Sequence, residues 1–81
     1  MNLTRPPRDV SSAKRAMAAL QALERAERQF GLAERVHQRE PSDRALAERC
    51  RARDKRDEAV QRLRAELRAL EAWLADAETH R

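Results

Sequence analysis

The stretch Glu40-Pro41-Ser42-Asp43 decides the fold, because it is the strongest punctuation in a chain otherwise patterned for helix. Proline lacks an amide proton and its ring clashes with the preceding turn, so a helix arriving from the N-terminal side ends there. Serine and aspartate follow at once, and their side-chain oxygens accept the free amide protons of a new first turn. A connection as short as 40–43 makes the two helices antiparallel neighbours.

On the N-terminal side of this turn, Ala16, Leu20, Leu23, Ala26, Phe30, Ala33 and His37 recur at spacings of four and three, which places them on one side of a helix over 11–39. Gly31 disfavours helix by about 1 kcal/mol relative to alanine. The stripe keeps its phase across it, so a continuous helix is expected. Pro6 and Pro7 bias residues 1–10 toward an extended arm, with Asp9, Ser11 or Ser12 as the cap that follows. On the C-terminal side, Val60, Leu63, Leu67, Leu70, Leu74 and Ala77 alternate three and four apart, the seam of a heptad repeat in a helix over 43–79.

The expected fold class is therefore all-α, an antiparallel two-helix hairpin of coiled-coil type over 11–81. Folding at the turn sets Leu23 near Val60, Leu20 near Leu63, Ala16 near Leu67 and Ala13 near Leu70. Leucine against alanine brings helices close but buries little area, so a hairpin of 81 residues gains only a few kcal/mol from its own core. Apolar and small residues also lie off the stripe: Met17, Ala18, Ala19 and Ala22 on the first helix, and Ala65, Ala69, Ala72 and Trp73 on the second. A hairpin needs one stripe per helix; further ones suggest a second layer. The expectation is a homodimer with a four-helix arrangement, or a stable complex with another helical protein. Trp73, Leu70, Leu74, Leu67, Phe30 and Met17 are the interface candidates, with Leu3, Val10 and the arm prolines as local cover for the end of the second helix.

Composition agrees with helix. Charged residues make up 40% of the chain and aromatics 2%, with no tyrosine, so strands lack their usual building blocks. No run approaches the roughly 18 apolar residues of a membrane span, the start has no apolar signal segment, and Cys50 has no second cysteine to pair with. A cytoplasmic protein without membrane attachment is expected.

Eighteen basic residues against fourteen acidic ones leave a net charge of +4. That whole excess sits in residues 44–64, with eight basic and four acidic side chains. A phosphate-gripping helix lines its arginines along one side. Here Arg49, Arg53 and Arg56 fall on the seam side and Arg51, Lys55 and Arg62 on another. Acidic residues interrupt them at helical spacing, as in Arg53 with Asp57, Glu58 with Arg62 and Arg62 with Glu66, which favours an ion-paired, solvated helix. The candidates for polyanion contact are Arg5, Arg8, Lys14, Arg15, Arg51, Lys55 and Arg62. The seam arginines face Phe30, Ala33 and Ala26, where they can lay apolar stems over the phenylalanine.

Catalysis is not expected. Cys50 and His37 are the one conceivable nucleophile and base, and no third orienting group or oxyanion site accompanies them. No metal or cofactor is expected either, because His37, His80 and Cys50 lack paired ligand spacing. In size and helix plan the hairpin resembles the small cytoplasmic chaperones of bacterial type III secretion systems, and small phage or plasmid proteins that inhibit a host regulator. The reading that follows is an adaptor, chaperone or inhibitor that docks helix surfaces on a protein partner. The alternatives are a basic nucleic-acid-associated regulator and a structural coiled-coil oligomer.

Overall fold

A computed structural model of the chain describes residues 7–79, with the side chains of residues 11–78. Among the described residues there are two elements, α1 (Pro7–Arg39) and α2 (Asp43–Thr79), folded against each other as an antiparallel hairpin. The molecule is a rod of 63 × 18 × 13 Å. No helix among the described residues is long and apolar enough to cross a membrane.

The first helix starts earlier than Ser11, so residues 7–10 are helix and not extended arm. Proline suits a first helical position: its φ is already helical, and the amide proton it lacks would have had no partner there. Asp9, Ser11 and Ser12 consequently lie within α1 and not ahead of it. Residues 1–6, Leu3 among them, and the side chain of Val10 lie outside the described residues. α1 runs through Gly31 without a break, and no described residue has positive φ.

The turn follows its local chemistry. Ser42 is the cap of α2, its Oγ accepting the Ala45 amide proton at 3.0 Å, and its carbonyl oxygen accepts the Leu46 amide proton at 2.9 Å. The last turn of α1 closes with the Glu40 amide donating to the Val36 carbonyl at 2.9 Å.

Cross-helix ion pairs fix the register. Arg15 Nε meets Glu66 Oε1 at 3.2 Å near the open end, and Arg49 Nη2 meets Glu34 Oε2 at 3.5 Å nearer the turn. Both agree, to within two residues, with the pairing of Leu20 with Leu63 and of Leu23 with Val60.

The phase of the seam differs from the expected one. The buried residues are Ser12, Ala16, Ala19 and Ala45, and Ala19 is fully inaccessible. Ala26 and Ala33 of α1, and Ala52 and Ala59 of α2, are half-buried. Small residues therefore recur every seventh position on both helices: Ser12, Ala19, Ala26 and Ala33 against Ala45, Ala52 and Ala59. Small side chains on both sides let two helices approach closely, and separation is set by the residues at the contact. Between them lie Leu23, Phe30 and His37 on α1, and Arg49, Arg56, Leu63 and Leu70 on α2, all half-buried.

Leu20, Leu67 and Leu74 are thereby turned off the seam, 44%, 46% and 48% exposed. Their places are taken by Ala19, Glu66 and Trp73. Arg53 is likewise displaced to the surface by Ala52 and pairs with its neighbour Asp54 at 3.7 Å. The hairpin prefers close backbone approach along an alanine column to the larger leucine column one residue away.

Candidate protein-docking face

Rotating the seam by one residue gives the hairpin two unlike flanks. A groove on one flank is lined by Ala22, Arg25, Ala26 and Gln29 of α1 with Lys55, Ala59 and Arg62 of α2. Its continuation toward the turn passes Glu48 and Arg51. Residues on the far side of each seam, two positions before Ala22 on α1 and five after Lys55 or Arg62 on α2, must share the opposite flank. These are Leu20 on α1, and Val60 and Leu67 on α2.

That opposite flank is apolar over the open half of the hairpin. Leu67, Leu70 and Leu74 line a shallow depression with Arg64 and Glu71 along its edge. Met17 and Leu20 of α1 lie beside it, 60% and 44% exposed. Toward the turn the same columns become charged, with Glu24, Glu27 and Glu34 on α1 and Arg53 and Asp57 on α2. The larger apolar cluster thus lies on one face of the open half. Leu46 on the same flank, and Leu32 and Val36 on the other, are also exposed near the turn, at 43%, 49% and 51%.

The six interface candidates divide. Met17, Leu67 and Leu74 are exposed on this face, and Leu70 borders it from a half-buried seam position. Trp73, also half-buried, lies on the opposite edge of the seam, in helical phase with Lys55. Trp73 has a helical neighbour across the seam, since α1 reaches back to Pro7. Phe30 is elsewhere, in the turn half, with the Arg56 guanidinium carbon 4.6 Å and the Arg49 guanidinium carbon 6.0 Å from its ring centroid. It is a packing residue of the seam. Ala18, Ala65, Ala69 and Ala72 are exposed helix formers, while Ala19 is core. Leu20 is the face residue that leucine counting missed. The seven-residue repeat of serine and alanine beside it was the available signal.

The polyanion candidates also separate. Lys55 and Arg62 share the groove on the polar flank, joined by Arg25 from α1, with Arg51 next to Lys55. Arg15 is engaged with Glu66, and its Nη2 lies 3.5 Å from Ser12 Oγ. Lys14 is exposed. Arg5 and the side chain of Arg8 lie outside the described residues. Two carboxylates take partners other than those expected from spacing: Glu66 is met by Arg15 across the hairpin, and Asp57 by its neighbour Arg56 at 3.2 Å. Cys50 and His37 are half-buried near the turn, and His80 lies outside the described residues. Among the described residues no group of three or more His, Cys, Asp or Glu is placed to hold a metal ion.

One flank offers exposed aliphatic side chains edged by single charges, the pattern of a helix-docking surface. No family model, no curated protein and no solved structure matches the chain.

Proposed function

We propose that this protein is a small cytoplasmic interaction module, an adaptor, chaperone or inhibitor that works by docking its helix surface on a protein partner. The observation that carries this reading is that Met17, Leu20, Leu67 and Leu74, each at least 44% exposed, gather on one face of the open half, whereas Leu32, Val36 and Leu46 are exposed near the turn. Scattered exposed leucines are ordinary on soluble proteins; a contiguous set edged by charge marks an interaction surface. The lone, half-buried Cys50 suits a reducing compartment. The partner supplies apolar side chains, with Arg64, Arg68 and Glu71 at the rim.

The test is a comparison of two double variants in cells that express the protein naturally. Leu67→Asp with Leu74→Asp should leave helix content intact and release the chain from its native complex. Lys55→Glu with Arg62→Glu, on the other flank, should leave the complex in place. The reverse pattern overturns the proposal.

A second reading rests on the polar flank, where Arg25, Arg51, Lys55 and Arg62 outnumber Glu48 and Glu58. This groove would contact a nucleic-acid backbone. Titration with duplex DNA and RNA at two salt concentrations decides it: backbone contact gives affinity that falls steeply with salt. Absence of binding at low salt removes it.

A further inference from the structure

The apolar face has a symmetry of its own. On α2, Val60, Leu67 and Leu74 are spaced by seven, so a half-turn about Leu67 sets Val60 of one copy against Leu74 of the other and Leu67 against itself. Arg64 and Glu71, which edge the same face, lie three residues before and four after Leu67. The same half-turn brings each Arg64 to the opposing Glu71, giving two pairs of opposite charge. On α1, Ala13, Met17 and Leu20 behave alike about Met17, with the small Ala13 falling against the large Leu20. The Arg15–Glu66 ion pair holds Met17 and Leu67 at nearly the same level of the rod, so one axis serves both helices.

Area points the same way. The chain exposes 6518 Å2, whereas a compact monomer of 9.4 kDa exposes about 5,000 Å2. The excess is more than the roughly 800 Å2 that each partner contributes to a standard interface. Charge sets the length of the overlap: beyond Val60 and Leu74 the column becomes Asp57 and Glu78, which face each other under this rotation and belong at its rim.

We propose that the occupant of the docking face is a second copy of this chain, antiparallel to the first across a two-fold axis beside Leu67 and Met17, with the two turn halves projecting at opposite ends. This inference rests on the reading of that face as a docking surface, and it names the partner. A two-fold contact is self-complementary, residue i meeting j and j meeting i, and the Arg64 and Glu71 positions satisfy that condition.

The test combines mass and register on the full chain. Light scattering at micromolar concentration should give the mass of two chains. Arg64→Glu should weaken the dimer by about tenfold or more by setting like charges together, and Arg64→Glu with Glu71→Arg should restore it. In a Cys50→Ser background, Leu67→Cys should oxidise to a covalent dimer, because a residue on the axis meets its own copy at disulfide range. Lys55→Cys should not. A wild-type monomer overturns the inference, as does a dimer that Lys55→Cys links and Leu67→Cys does not. If a monomer still joins a different protein through Leu67, the docking reading survives and the self-association falls; if it joins nothing there, both fall.

Discussion

The Arg56 guanidinium lies 4.6 Å from the centroid of the Phe30 ring, and that of Arg49, seven residues earlier on α2, lies 6.0 Å from it. Phenylalanine of one helix thus sits between two arginines one heptad apart on the other. Of the charged run from Cys50 to Glu58, Arg56 is therefore part of the seam, while Arg51 and Arg53 point away from it. Arg56 and Arg49 flank the ring, and Asp57 and Glu34 meet their heads at 3.2 and 3.5 Å. An arginine over an aromatic face contributes about 0.5–1 kcal/mol at exposed sites.

Arg56→Ala should accordingly lower stability by about 0.5–1 kcal/mol. Phe30→Ala should lower it by about 1–2 kcal/mol, less than a fully buried phenylalanine, because the ring is half-covered. Urea unfolding monitored by circular dichroism measures both. Equal stability of wild type and Phe30→Ala would mean that the turn half does not pack in this way.

The phase of the seam makes a sharper contrast between adjacent residues. Ala19 is fully buried and Leu20 is 44% exposed. Ala19→Leu should force the helices apart and destabilise by roughly 1–3 kcal/mol. Leu20→Ala should alter the stability of the isolated hairpin by less than about 1 kcal/mol. Thermal unfolding of the two variants below the concentration of self-association gives the order directly, and the opposite order would place leucine on the seam.

Arg15 and Glu66 should be energetically coupled. Glu66 occupies a seam position with its side chain 20% exposed, whereas Arg15 is 52% exposed. A double-mutant cycle with alanine at each site should give about 0.5–1 kcal/mol, falling as salt is added, as expected for a pair still open to solvent on one side. Coupling of zero would loosen the register of the open half.

Gly31→Ala should stabilise. The helix passes through Gly31 without positive φ, and a Cβ placed there meets nothing within 4 Å. The gain in helix propensity is about 0.5–1 kcal/mol. A higher midpoint in urea with an unchanged slope is the expected result.

Much of the fold was legible because its signals are local. Pro41 and Ser42 act within one turn of chain, so the break, the cap and the antiparallel pairing could be read from them. Register followed from the turn. The phase of α2 was not local. Two columns fit equally well by spacing, Leu67 and Leu74 or Glu66 and Trp73, and hydrophobicity ranks the leucines first. What selects the other column is the facing helix, whose Ser12, Ala19, Ala26 and Ala33 accept a close neighbour, and that preference belongs to the pair of helices. The start of α1 was missed for a related reason: Pro7 reads as a breaker by composition, although at a first helical position it is favourable. The same rotation that moved the seam turned Leu20, Leu67 and Leu74, expected as hairpin core, to the surface.

Binding through the leucine flank of the open half, as we propose, can be read directly by cross-linking. A photoreactive amino acid placed singly at Val60, Leu67 and Leu74, and separately at Lys55, Arg62 and Ala69, reads the two flanks in the cell. The account predicts cross-linked product from the first three positions, strongest at Leu67, and none from the second three. Cross-links at Lys55 and Arg62 with none at Leu67 and Leu74 would contradict it.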